Sequence, residues 1–384
     1  MSEKRNIPIA LPCTGEEEWQ ALRESVMTGW LTQGPKVAAF EKAFAKRHGS
    51  AHAVATSNCT TGLHLILAAL GVGPGDEVIV PSFTWIATAN VICYCGATPV
   101  FVDVDRRTYN IDPAKVAAAV TAKTKAIIVI HLFGLCADVD AVAAAAPGID
   151  IIEDAACASG ASYKARSAGT LGRAAAFSFH PRKSITTGEG GMVVTDDNEL
   201  AERVGMLRNH GASISEEQRH LGPRPYLLPE FNMLGYNYRM TDLQGSVGLV
   251  QLSKLDAFIA ERRKWAEYYR RELADIEWLR TPFVPDGCGH GYQAFVCYVD
   301  EDKAPMSRNE IMEALQAQGI GTRPGTHAVH MQRYYKERFG LRDDDLLVSR
   351  DCDRLTMAIP LHNRMTEKDF SYVVRAIKDL GKSG

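Results

Sequence analysis

Short β-branched runs alternate with Ala-rich stretches of helical length through the first half of the chain. DEVIVPS (76–82), TPVFVDVD (98–105), KAIIVIHLF (125–133) and IDIIEDAA (149–156) are apolar with little alternation, as strands are when both faces of their sheet are covered. Between them, PAKVAAAVTAKT (113–124) and DVDAVAAAAPG (138–148) are helix-forming. Strand-length and helix-length segments in turn predict βα units, and so an α/β fold with a mostly parallel central sheet. Ligands of such sheets collect beyond the carboxyl ends of the strands. Polar residues just after the apolar runs are therefore the candidates for chemistry.

The texture changes over 213–235, SISEEQRHLGPRPYLLPEFNMLG, which is rich in Pro, Gly and charge and reads as a long loop of functional type. A long helix is expected from about Thr241, which is placed to cap it. Beyond residue 280, strand-like YQAFVCYV (292–299) and helix-like SRNEIMEALQAQG (307–319) predict a small α+β unit. The expected division is a large domain with an N-terminal segment over 1–255, then a connecting helix and small C-terminal α+β domain over 256–384.

Length and composition narrow this further. With 384 residues, 46% hydrophobic and 23% charged, the chain is long enough for a large core and a smaller partner. A net charge of −3 provides no global basic field, so nucleic-acid binding is not expected. The opening MSEKRNIPIALPCTGEEEW has no apolar stretch of signal-peptide kind, and the run AIIVIHLFGL (126–135) is too short to span a bilayer. The nine cysteines include no CxxC pair. They read as free thiols in a reducing compartment, with no metal site and a cytoplasmic location expected.

The most informative block is AFSFHPRKSITTGEGGMVVT (176–195). Lys183 lies in a polar turn between two strand-like runs. A lone lysine there is ordinarily a solvated turn residue. Here Ser178 stands five residues upstream, able to donate to a phosphate, and Gly188, Gly190 and Gly191 let the backbone pass close to a ligand. Asp154 ends the apolar run IDIIED, where a carboxylate is costly unless it meets a cation. A protonated pyridine nitrogen is one such cation; capping a following turn is the bland alternative. Glu153 points the other way along the strand and reads as structural. In ATSNCTTGLHLILAALGVGPGDEV (55–78), Ser, Asn and Thr open an apolar-periodic helix, whose N-terminus is a natural anion site. Trp85, after the strand VIV, is as well placed for a core as for stacking on a ring.

Together these residues resemble the DegT/DnrJ/EryC1/StrS family of sugar aminotransferases, a branch of the fold type I, aspartate-aminotransferase-like enzymes that use pyridoxal 5'-phosphate (PLP). The resemblance runs from GWLTQGPKVAAFEKAFAKRHG (29–49) through SNCTTGLHL, PSFTWIATANVI, EDAA and SFHPRKSITTGEGG to LGYNYRMTDLQGSVGLVQLSKLD (234–256). It implies that Lys183 holds the cofactor and then carries protons, with a lowered pKa, and that Asp154 pairs with the ring nitrogen. Thr60, Thr61 and Ser178 would hold the phosphate, and Trp85 would stack on the ring. Asn237 would reach the phosphate of the neighbouring subunit's cofactor, which makes the expected state a homodimer with shared active sites. Arg239 would meet the donor carboxylate, or else serve a structural ion pair.

One position departs from the family. Cys157 stands where Gln or His usually meets the cofactor's phenolic oxygen, and a thiol does this poorly. His327 and His330 of GTRPGTHAVHMQRYY (321–335), with His180 and Thr32, are the candidates for contacts to the sugar. Arg219 and Arg224 are placed for a nucleotide diphosphate. The implied reaction moves the amino group of L-glutamate onto a keto sugar, foremost a nucleotide-linked 4-keto-6-deoxyhexose for amino-sugar and lipopolysaccharide or other polysaccharide assembly. A 3-keto or oxidised octulosonic-type sugar shares the same motifs. A dehydratase would carry His in place of Lys183, and a non-catalytic sensor would lose Lys183 or Asp154 or gain a further module.

Overall fold

The computed structural model describes residues 5–214, 226 and 228–381. At its centre a seven-stranded sheet is built from β1 (His52–Thr56), β2 (Glu77–Pro81), β3 (Thr98–Val102), β4 (Thr124–Ile130), β5 (Asp150–Asp154), β6 (Ala174–Ser178) and β7 (Gly191–Thr195). The spatial order is β1-β7-β6-β5-β4-β2-β3. β7 pairs antiparallel with both its neighbours, and every other pairing is parallel. This is the mostly parallel α/β sheet that the apolar runs predict.

Both faces of the sheet are covered, which is why its strands lack a polar side. Ile128 and Ile152 pack with Leu63 and Ile66 of the helix Cys59–Ala69. Their neighbours Ile127, Val129 and Ile151 pack on the opposite face with Val116 and Val142. Under β6 and β7, Phe40 and Phe44 of the helix Pro35–His48 meet Phe177 and Phe179. A fully buried side chain of this size contributes about 1.5–3 kcal/mol.

The C-terminal unit is a four-stranded antiparallel sheet, in spatial order Leu279–Arg280, Phe295–Val299, Thr356–Ile359, Arg323–Pro324. Helices Arg308–Ala317 and Glu367–Leu380 pack beside it. Ser307 caps the former through a reciprocal bond with Glu310. The N-terminal segment belongs to this unit as much as to the large sheet, because Ile7 is buried in its core and bridges to Ile320.

The helix Asp242–Glu272 joins the two parts, at about 1.5 Å of rise per residue over its 31 residues. Thr241 caps it, its hydroxyl accepting from the Gln244 N–H at 3.3 Å. Leu255 and Ile259 pack under the large sheet, whereas Ala266 and Tyr269 enter the small core. The expected division at 255/256 falls inside this continuous helix. Buried Arg262 pins it, donating to the carbonyls of Leu361 at 3.0 Å and Tyr292 at 3.1 Å. Arg219 and Arg224 lie outside the described residues.

Candidate active site

The topology sets one edge of the sheet apart. β1, β2, β5 and β6 all deliver their carboxyl ends there, and the reversed β7 begins there. Asp154 ends β5, Ser178 ends β6, and Lys183 sits in the turn leading to β7. Residues distant in sequence are thus gathered by strand direction alone.

The helix Cys59–Ala69 begins at the same edge. Asn58 caps it, its Oδ1 accepting from the Thr61 N–H at 2.9 Å, while the Asn58 N–H donates back to Thr61 Oγ1 at 3.2 Å. The Thr61 hydroxyl also donates to the Asn58 carbonyl at 2.8 Å, so it is committed to the cap. Among the described residues no protein group accepts from the Thr60 hydroxyl or from the Cys59 and Thr60 N–H groups. Helix N-terminal N–H groups of this kind favour a phosphate. Gly191 brings the helix so close, since a Cβ there would lie 2.4 Å from the Asn58 carbonyl carbon.

Asp154 is buried, as its place at a strand end predicts. Thr88 Oγ1 donates to its Oδ2 at 2.7 Å and the Ala156 N–H to its Oδ1 at 3.1 Å. Cys59 Sγ lies 4.0 Å from Oδ1. The Lys183 ammonium donates to Cys157 Sγ at 3.2 Å. Burial pulls the Lys183 pKa down, but Cys157, Cys59 and Asp154 outweigh it and hold it above the ordinary lysine value. The protein groups alone thus shift Lys183 in the direction opposite to the expected lowering.

The remaining candidates divide by surroundings. Ser178 is buried at the end of β6. Trp85 is 62% exposed, with the His327 ring 5.9 Å away. His327 gets there because His327–Ala328 pairs with Phe83–Thr84. His180 is half-buried, and its Nδ1 accepts from the Arg182 N–H at 3.2 Å, which leaves Nε2 to carry the proton. Burial lowers its pKa, as do the charges of Lys183, Arg182 and Arg323, against the raising charge of Glu189. Thr32 is exposed, its carbonyl accepting from the Asp242 N–H at 3.1 Å. Asn237 is exposed and Arg239 half-buried, with Arg239 Nη1 donating to Asn209 Oδ1 at 2.7 Å.

His330 falls in the core instead of a sugar-facing loop. It is fully buried, its Nδ1 lies 2.7 Å from Ser82 Oγ and its Nε2 3.1 Å from the Asp343 carbonyl oxygen. Both ring nitrogens are engaged in tying the C-terminal unit to the end of β2. Four residues absent from the candidate set also matter. Thr88 sits one helical turn after Thr84, a spacing visible in TWIAT. Cys59 borders Asp154. Asp242, from the motif GYNYRMTD, accepts from the Lys36 and Val37 N–H groups at 3.1 and 2.9 Å and so caps the helix Pro35–His48. Arg323 is half-buried in the C-terminal sheet, within electrostatic reach of Cys157 and Arg182.

A buried, hydrogen-bonded carboxylate, a neighbouring lysine amine and open N–H groups at a helix start are what a pyridine ring carrying an aldehyde and a phosphate requires. The model of the DegT/DnrJ/EryC1/StrS aminotransferase family matches residues 12–378. The chain belongs to this family. It is 42% identical to the spore coat polysaccharide biosynthesis protein SpsC of Bacillus subtilis (strain 168), over 100% of this chain and 99% of that protein. Its fold matches the aminotransferase TlmJ from Streptoalloteichus hindustanus with a TM-score of 0.89, at 32% identity over 97% of this chain and 98% of that one. Streptococcus pneumoniae Spr1654 in its PLP form matches with a TM-score of 0.91 and 27% identity, over 98% and 99% of the two chains. The chain is accordingly a PLP-dependent sugar aminotransferase. No helix among the described residues is long and apolar enough to cross a membrane.

Proposed function

We propose that the enzyme moves the amino group of L-glutamate onto a nucleotide-linked 4-keto-6-deoxyhexose, yielding an amino sugar for polysaccharide assembly in the cytoplasm. The observation that carries this reading is the lysine–carboxylate–helix arrangement at one sheet edge, in a chain similar throughout to a polysaccharide biosynthesis protein. When bound, PLP supplies an electron sink for the carbanion formed at the donor's α-carbon. The chain supplies the rest. Lys183 holds the cofactor and moves the proton on the substrate side. Asp154, fixed by Thr88 and the Ala156 N–H, pairs with the ring nitrogen. Thr60, Ser178 and the helix N–H groups receive the phosphate, with Thr61 shaping the turn that presents them. Trp85 covers the ring, and Cys157 stands beside it. Thr32, His180 and His327 line the sugar side, and Arg239 faces the donor.

The site is completed in this reading by a second copy of the chain, whose Asn237 reaches across to the phosphate. Exposure of Asn237 supports this, as do the exposed apolar side chains Leu31, Phe231 and Leu234 in the flanking segments. The test is a panel of UDP-, dTDP- and GDP-linked 4-keto-6-deoxyhexoses, each mixed with enzyme and L-glutamate and read by mass spectrometry. Formation of one nucleotide-linked amino sugar bears the proposal out. Amination only of a 3-keto or oxidised octulosonic-type sugar would replace this acceptor.

A further inference from the structure

A buried carboxylate keeps its charge only where hydrogen-bond donors surround it. Asp154 has few. The Ala156 N–H donates to its Oδ1 at 3.1 Å, and Cys59 Sγ lies 4.0 Å from the same oxygen. The Cys59 thiol is closer to the Ala176 carbonyl, at 3.4 Å, and its one proton belongs there. The other oxygen, Oδ2, accepts from Thr88 Oγ1 at 2.7 Å, the shortest contact of the carboxylate. Among the described residues Thr88 is the one hydroxyl that donates to it.

Thr88 does not act alone. It lies in the helix Ala87–Tyr94 and is fully buried. Its single hydroxyl proton goes to Asp154, so in the 3.3 Å contact with Thr84 Oγ1 it must accept and Thr84 must donate. Thr84 is buried as well, on the short strand Phe83–Thr84 that pairs with His327–Ala328 of the C-terminal unit. A chain of two hydroxyls thus runs from that pairing to the carboxylate, with each bond directed toward Asp154. A hydroxyl that accepts one hydrogen bond donates a stronger one. Packing alone would be served as well by valine at both positions, with no hydroxyl to withdraw from water.

We infer that Thr88, with Thr84 behind it, is a positioning residue for amino transfer: its hydroxyl keeps Asp154 charged and aimed, and so sets how firmly the cofactor's ring nitrogen keeps its proton. This rests on the proposed pairing of Asp154 with that nitrogen and deepens it. Hydrogen bonds to the charged form of a carboxylate favour that form. A carboxylate stripped of them takes a proton from its partner more readily, and a ring without its proton is a poorer electron sink. The ring charge also has a visible consequence. A positive ring nitrogen repels the proton on the lysine-bound nitrogen of the yellow form, which keeps low the pH at which the yellow fades.

The test is a pH titration of the yellow absorption in the PLP-loaded protein, with PLP retention measured by equilibrium dialysis. Thr88→Val keeps the branched shape and removes the hydroxyl. The pH at which the yellow fades should rise by about one unit and the PLP Kd by about tenfold, the worth of one hydrogen bond to a charged group. kcat should fall about tenfold, with KM for the donor much less affected. Thr88→Ser, which keeps the hydroxyl, should retain the parental pH midpoint and Kd. Thr84→Val leaves the bond to Asp154 in place and should shift the midpoint the same way by less; it carries the test if Thr88→Val does not fold. Asp154→Asn should shift it furthest. Parental midpoints in both valine variants overturn the inference when Asp154→Asn does shift. So does a Thr88→Ser protein that shifts as far as Thr88→Val, since packing would then be the cause. An Asp154→Asn protein with the parental midpoint removes the ring-nitrogen reading and this inference together.

Discussion

Glu153 is adjacent to Asp154 in β5 but serves the frame, and Glu153→Gln tests how that frame is held. The side chain is fully buried and accepts four hydrogen bonds, each 2.7 Å long: Oε1 from the Leu171 and Gly172 N–H groups, Oε2 from the Gly169 N–H and from His131 Nε2. His131 must donate, because its Nδ1 accepts from the Ala137 N–H at 3.1 Å. Burial alone would raise the Glu153 pKa, but the His131 hydrogen bond and the backbone N–H groups outweigh it and hold it below the ordinary value. A glutamine offers one acceptor oxygen and one NH2 group to these four donors. Two donors then face an NH2 group, each at a cost of about 1–3 kcal/mol, or about 2–6 kcal/mol together. The assay is the urea unfolding midpoint of variant and parent at pH 7. The ordinary unfolded pKa is about 4.3, and the folded value lies lower. The carboxylate's contribution is therefore complete above that pH and is lost as pH falls through the folded value. The gap between the two proteins should narrow in acid. A difference below about 1 kcal/mol at pH 7 would refute the reasoning, since the four bonds would then not constrain the loop after β5.

Three further outcomes are expected. Lys183→Ala should abolish both transamination and the yellow lysine-bound absorption; transamination at the parental rate would remove the central assignment. Asn237→Ala should weaken PLP retention about tenfold, the worth of one hydrogen bond to a charged group, as measured by equilibrium dialysis. Unchanged PLP affinity would count against sites shared between two subunits. Burial pushes His48 down to about 4 and His290 down to about 3. Each stays neutral in the fold while its unfolded counterpart protonates below about pH 6.5, so each should cost about 1.4 kcal/mol of stability per pH unit below that value, until its folded pKa is reached. Urea midpoints that stay flat between pH 6.5 and 5 would contradict this.

The parts of the site legible in the sequence were those that local order dictates. Asp154, Ser178 and Lys183 follow apolar runs, and in a parallel sheet that alone places them at one edge. The cap at Asn58 and the helix start at Thr241 were legible for the same reason, since both bonds close within three residues. Long-range contacts were not. Thr88 reaches Asp154 across 66 residues, and His131 and Glu153 meet only because β4 and β5 are neighbours. His330 has the sequence of a polar loop, yet packing against Ser82, 248 residues away, buries it.

The absorption spectrum of the protein with PLP, recorded before and after L-glutamate is added without an acceptor, tests the site and the donor most directly. Loss of the yellow absorption, with growth of the pyridoxamine form, is the predicted result. A yellow protein that glutamate leaves unchanged would contradict the donor, and a protein that never turns yellow with PLP would contradict the site itself.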